Sequence, residues 1–316
     1  MVLDIAADTP VYVAGHRGLV GSAVWRRLKQ DGCQNLIGWT SSEVDLRDRK
    51  ATFEAMLATK PQVVVVAAAK VGGILANNTY PVDFLNDNLR IQTNLFEAAH
   101  AASVPRLLFL GSSCIYPKFA NQPISEDELL TGPLEPTNDA YAIAKIAGIL
   151  AIRSYRRQYG HSWISAMPTN LYGSGDNFDV ETSHVLPAMI HKFDAAKQTG
   201  APPVLWGTGT PRREFLHTSD LASAVSHLLQ NYDADSHVNV GTGSDVSIAE
   251  LADLVADAVG YSGDIVWDTS KPDGTPRKLL DVSKLESTGW RPHVDLADGI
   301  AETYAWFLEH RHSLRA

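Results

Sequence analysis

Short apolar runs alternate along this chain with longer segments whose apolar positions recur every three to four residues. Residues 11–14 (Val11-Tyr12-Val13-Ala14) are apolar, end at Gly15, and predict a buried strand. Over 19–30, Leu19, Val20, Ala23, Val24 and Leu28 keep helical spacing, and Gly32 is placed to end that helix. Residues 36–39 predict a second strand and 50–58 a helix. Residues 63–69 are apolar throughout, as a parallel strand covered on both faces requires. The pattern continues with a long helix over 87–102, a strand over 107–111, a second long helix over 139–159 and a strand over 163–167. Such alternation predicts an α/β fold with a doubly wound parallel sheet. The first ten residues, which include Asp4 and Asp8, read as frayed.

After about Gly173 the rhythm breaks, with Gly175, Pro187, Pro202, Pro203, Gly207, Gly209 and Pro211 in quick succession. A smaller C-terminal α/β region is expected there. The division read from this is 1–173 for a dinucleotide-binding domain and 174–316 mainly for a substrate domain, with part of 213–245 returning to the first. The 316 residues are 45 % hydrophobic and 20 % charged, which is globular composition. A net charge of −9 argues against a nucleic-acid partner. The apolar run at 63–69 is too short to span a bilayer, and no basic residue precedes His16, so neither a membrane span nor a signal peptide is expected. Cys33 and Cys114 are the only cysteines, which excludes a disulfide framework and points to a reducing, cytoplasmic setting. No zinc-ligand spacing is present, and no metal is expected.

Gly15-His16-Arg17-Gly18-Leu19-Val20-Gly21 joins the first strand to the first helix. Glycines there permit a tight turn and close approach of a pyrophosphate to the free N–H groups of a helix N-terminus. The motif therefore predicts dinucleotide binding, with the G-x-x-G-x-x-G spacing of the short-chain dehydrogenases. After the second strand, Trp39-Thr40-Ser41-Ser42 offers no acid for a ribose 2′-hydroxyl before Glu43. Arg17 is instead suited to pair a 2′-phosphate, favouring NADPH, and Asp45 is available to the adenine.

Tyr141 and Lys145 are four residues apart on a predicted helix and share a face. An ammonium beside a phenol is expected to lower its pKa and make it a usable proton shuttle. Ser112, at a predicted strand end, can donate to the same carbonyl oxygen. Cys114 lies two residues on, at the end of a sheet where open α/β folds bind ligands, and a thiol near a positive group is a usable base.

These features resemble the extended short-chain dehydrogenases and, within them, the GDP-L-fucose synthase family. The strings that carry the resemblance include Ala68-Ala69-Lys70-Val71-Gly72-Gly73, Gly111-Ser112-Ser113-Cys114-Ile115-Tyr116-Pro117, Pro168-Thr169-Asn170-Leu171-Tyr172-Gly173 and Arg213-Glu214-Phe215-Leu216-His217. Lys271-Pro272-Asp273-Gly274-Thr275-Pro276-Arg277-Lys278 completes them, and the match runs from about residue 11 to about 310. The resemblance implies 3,5-epimerisation of GDP-4-keto-6-deoxy-D-mannose followed by NADPH-dependent reduction of the 4-ketone. It assigns Cys114 and His184 to epimerisation, and Ser112, Tyr141 and Lys145 to reduction. It places Leu110, Gly111, Ser113, Pro168, Thr169, Asn170, Leu171 and His184 against the cofactor. Asn170, Lys192, Trp206, Arg213 and Asp273 would meet the GDP-sugar, and a homodimer built on the two long helices is expected. Bacterial members tend to carry arginine at the place of Lys192 and in the region of 39–41, so NADPH preference leans here on Arg17. A 4,6-dehydratase would need an Asp-Glu pair where Ser113-Cys114 stands. A simple 4-epimerase needs no Cys/His pair, and a non-catalytic NADP sensor would not need both Tyr141 and Lys145.

Overall fold

The computed structural model describes residues 5–179, 182–271 and 273–312. Residues 1–4 of the segment read as frayed, and Pro272, lie outside the described residues. Six strands form one parallel sheet in the order Val238–Val240, Ser162–Pro168, Arg106–Leu110, Val63–Val66, Val11–Ala14 and Leu36–Ile37. Side chains alternate across it. Val11, Val13, Val63, Val65 and Leu108 face the helices Leu19–Gln30 and Thr218–Asn231. Tyr12, Val64, Val66, Leu107 and Phe109 face the long helices Pro81–Ala101 and Asp139–Tyr159. Both faces are covered, which is why these strands carry apolar residues at consecutive positions. A third core, with Phe193, Leu205, Leu251, Val255, Ile300 and Phe307, lies in the C-terminal part of the chain.

Three local expectations need correction. The third strand stops at Val66, and 67–73 continues as an irregular segment. A short helix, Ile74–Thr79, follows it. The long helix starts at Pro81 rather than at 87, because proline fits the first helical position, where no N–H is needed. Residues 5–10 are not all loose: Gln34 donates its N–H to Ala7 O at 2.7 Å, and Thr9 is buried.

Two buried side chains fix the far edge of the sheet. Arg106, 1 % exposed, donates to Leu228 O (2.8 Å), Leu229 O (3.0 Å), Ser162 O (2.6 Å) and Tyr232 O. It thus serves the carbonyls at the end of helix Thr218–Asn231, sharing Leu228 O with the Tyr232 N–H (3.1 Å). His237 accepts from Arg153 Nη2 at Nδ1 (3.0 Å) and lies 2.9 Å from the Tyr116 hydroxyl at Nε2. That arrangement requires a neutral ring. Burial, reinforced by the Arg153 and Lys284 charges, pushes its pKa down to about 3. Below about pH 6.5 the unfolded chain gains a proton at this position that the folded chain does not, so stability falls as pH falls through that window. Glutamine can keep both contacts without titrating. The loss of Tm between pH 7 and pH 4 is therefore shallower in His237→Gln than in the wild type by thermal unfolding, and parallel slopes would refute this.

Candidate active site

The carboxyl ends of the strands open into a cleft of about 720 Å³. Its floor begins at the glycine loop. Gly15 has φ +80°, and a Cβ there would lie 2.9 Å from the Ala68 backbone. A Cβ at Gly21 would lie 2.0 Å from Gly15 O, so the first turn of helix Leu19–Gln30 can fold against the loop only because both residues are glycine. Gly18 caps this helix without a side chain, leaving its first N–H groups to the cleft. The cradle fits a dinucleotide pyrophosphate.

Gly15, Gly18, Leu19 and Val20 line the cleft, together with Leu110, Gly111, Ser112, Ser113 and Pro168, Thr169, Asn170, Leu171. His16, Arg17 and Gly21 are not among the lining residues. The His16 ring packs 5.2 Å from that of Trp25. Burial and the Arg17 charge keep its pKa low. Arg17 is exposed, and it shares its neighbourhood with an acid. The Glu43 carboxylate accepts the Thr40 N–H (2.7 Å) and hydroxyl (2.8 Å), and these bonds, then the Arg17 and His16 charges, keep it ionised to lower pH than usual. Asp45 lines the cleft but is gripped by Arg47 at 2.8 Å, and Arg47 also reaches Asp87 at 3.7 Å.

Tyr141 and Lys145 project from helix Asp139–Tyr159 into the cleft. The helix sits close to the sheet because Gly148 has no Cβ, which would otherwise lie 2.4 Å from the Phe109 ring. Lys145 Nζ donates to Leu110 O at 2.9 Å and lies 5.8 Å from the Tyr141 ring centre. The expected lowering of the phenol pKa does not occur. Burial, followed by the effect of Cys114, raises Tyr141, while burial lowers Lys145 to about 8. Tyr141 is thus a neutral, proton-carrying phenol at neutral pH, the form that a reduction consumes.

Ser112 follows the strand Arg106–Leu110, and its Oγ accepts the Cys114 N–H at 3.4 Å. Cys114 lies in the single turn Ser113–Ile115, 6 % exposed and outside the lining residues. Burial raises its pKa, while Lys278, the Ser112 hydroxyl and Lys145 oppose that rise. Lys278 was assigned no role from sequence. It sits on Arg277–Lys278, paired in parallel with Arg212–Arg213, so that Lys278 lies opposite Arg213. His184 lines the cleft at the start of helix Val185–Thr199 and spends no side-chain bond on capping it. Partial desolvation by the cleft walls keeps its pKa below the ordinary imidazole value, although the residue as a whole is exposed.

Lys192, Trp206, Arg213 and Asp273 lie outside the cleft lining. Contacts connect them into one neighbourhood. Lys192 Nζ is 5.8 Å from the Trp206 ring centre, and Lys271 Nζ is 5.5 Å from it. Asp273 accepts the Thr208 N–H (2.7 Å) and hydroxyl (2.9 Å), while a Cβ on Gly274 would lie 3.6 Å from an Arg213 nitrogen. Glu214, unassigned from sequence, joins this region to the cleft. Its backbone oxygen accepts from Thr169 Oγ1 (3.3 Å) and Asn170 Nδ2 (2.8 Å). Its carboxylate accepts the N–H groups of Thr242 (2.6 Å), Gly243 (2.8 Å) and Leu280 (3.1 Å).

The NAD dependent epimerase/dehydratase family matches residues 11–241. The chain is 59 % identical over 302 residues to a probable GDP-L-fucose synthase 1 of Oryza sativa subsp. japonica, covering 95 % of this chain and 92 % of that relative. It is 52 % identical over 315 residues to the GDP-L-fucose synthase of Escherichia coli K12, covering 96 % and 98 %. The solved structure of a GDP-L-fucose synthetase from Naegleria fowleri bound to NADP superposes with a TM-score of 0.92 at 30 % identity, covering 100 % of this chain and 98 % of the other. With the glycine cradle and the Ser112, Tyr141 and Lys145 cleft, these likenesses mean that the chain belongs to the NAD dependent epimerase/dehydratase family and, within it, to the GDP-L-fucose synthases.

Proposed function

We propose that this enzyme epimerises GDP-4-keto-6-deoxy-D-mannose at C3 and C5 and reduces the 4-ketone to GDP-L-fucose with NADPH. The observation that carries the reading is the convergence of Ser112, Tyr141, Lys145 and His184 on the cleft that begins at the glycine cradle. The 4-keto group acidifies the protons on its neighbouring carbons. Cys114 removes such a proton once Lys278 and Lys145 stabilise its thiolate, and His184 returns one to the opposite ring face. Bound NADPH supplies the hydride to C4. Tyr141 gives its proton to the C4 oxygen, Ser112 donates a hydrogen bond to that oxygen, and Lys145 offsets the charge left on the phenol. Lys192, Arg213 and Asp273, with the Trp206 face, hold the GDP end.

On this reading, residues 1–173 bind the cofactor and 174–316 mainly bind the sugar nucleotide. The edge strand Val238–Val240 and the helix Thr218–Asn231 support a return of part of 213–245 to the first domain. A homodimer through the two long helices is supported by Ile143 (46 % exposed) and Leu150 (43 % exposed) on Asp139–Tyr159. No described helix is long and apolar enough to cross a membrane. A cytoplasmic setting suits a mechanism that needs Cys114 as a free thiol.

The assignment is tested by turnover of the keto sugar with NADPH in heavy water, with the product identified by NMR. Tyr141→Phe should lower reduction by about 10²-fold or more while exchange at C3 and C5 continues. Cys114→Ser should lose that exchange and release sugars of the wrong configuration. Exchange at the wild-type rate in this variant would make the thiol a packing residue. Arg17→Ala should raise KM for NADPH much more than for NADH, and equal changes would remove Arg17 as the discriminator.

A further inference from the structure

One wall of the cleft is a loop whose described residues form a local hydrogen-bond network. Asp176 donates its N–H to Gly173 O (3.2 Å), and its Oδ1 accepts the Asn177 N–H (2.8 Å). Asn177 Oδ1 accepts the Asp179 N–H (3.1 Å), and Asn177 Nδ2 donates to Thr182 Oγ1 (3.0 Å). Thr182 O accepts the Gly73 N–H (3.0 Å), which pins the loop to the opposite lip. Two side-chain atoms stand apart from this network. Asp176 Oδ2 and Ser183 Oγ are out of contact with solvent and have no partner among the described residues. Both residues line the cleft beside His184, and Asp176 is only 7 % exposed.

A buried carboxyl oxygen without a partner is costly, and the arrangement makes sense when a ligand supplies that partner. Burial pushes the Asp176 pKa up to about 7, so near neutrality the group can either donate to or accept from a hydroxyl. Its position favours the sugar over the cofactor. The glycine loop and the strand-end segments occupy the dinucleotide side, whereas this wall runs directly into helix Val185–Thr199. That helix carries Lys192 about 12 Å beyond His184 along its axis.

We propose that Asp176 Oδ2 and Ser183 Oγ form the subsite that takes hydroxyl groups of the substrate's hexose ring. The inference rests on the GDP-sugar reading above. Asp176→Asn keeps the size and the Oδ1 contact, and Ser183→Ala removes one hydroxyl, so both variants are expected to fold. The test measures Kd by calorimetry for GDP-L-fucose and for GDP, each on protein saturated with NADP⁺, together with Kd for NADPH. Each variant should weaken GDP-L-fucose by about tenfold or more, the worth of a hydrogen bond to a charged or buried group. GDP and NADPH should stay within about twofold of the wild type. The proposal is overturned if GDP-L-fucose binds the variants as tightly as the wild type, or if GDP or NADPH weakens by the same factor. Wild-type protein that fails to bind GDP-L-fucose would overturn the functional reading itself, and the subsite with it.

Discussion

The buried carboxylate of Glu214 holds the two parts of the site in register. Its side chain gathers N–H groups from the segment after the edge strand and from Leu280, two residues beyond Lys278. Its backbone oxygen takes Thr169 and Asn170, which line the cleft. The neighbouring residue is Arg213, opposite Lys278 in the small sheet. Removing this charge from water carries a desolvation cost, seen in a pKa that burial raises despite the hydrogen bonds. Convergent donors offset that cost, and the result is a common anchor for the cleft and for the small sheet that carries Arg213 and Lys278.

Burial sets the protonation states of the site more than pairing does. It raises Tyr141 and Cys114, and lowers Lys145 and His184. Each shift favours the uncharged form, as low-dielectric surroundings must. A neutral phenol is ready to protonate an alkoxide. A neutral thiol is a poor base, and Lys278 and Lys145 are the cations that oppose the rise of the Cys114 pKa. On the proposed assignment, reduction draws on the neutral Tyr141 phenol and epimerisation on the cations near Cys114.

Close packing provides the geometry for this chemistry. Gly148 lets the helix bearing Tyr141 and Lys145 sit against Phe109, which brings Lys145 to Leu110 O at the strand end. Gly21 does the same for the cofactor loop against Gly15. At both positions a single methyl group would push a helix away from its site, so the missing Cβ atoms are as functional as the side chains nearby.

Features set by short stretches of chain were legible in the sequence. Apolar runs covered on both faces announced the parallel strands, the glycine triplet between strand and helix announced the cradle, and Tyr141 and Lys145 shared a face through helical periodicity alone. Strand ends were harder to read, because residues 67–69 are apolar for lining a cleft rather than for pairing in a sheet. What only the tertiary structure decided are encounters between distant segments: Lys278 with Cys114, Glu43 with Arg17, Glu214 with three backbone N–H groups, and Asp176 with Ser183 on one wall. No local period or spacing encodes such meetings. The direction of the Tyr141 shift was likewise decided by burial, since a neighbouring lysine is visible in a sequence but the exclusion of water is a property of the folded surroundings.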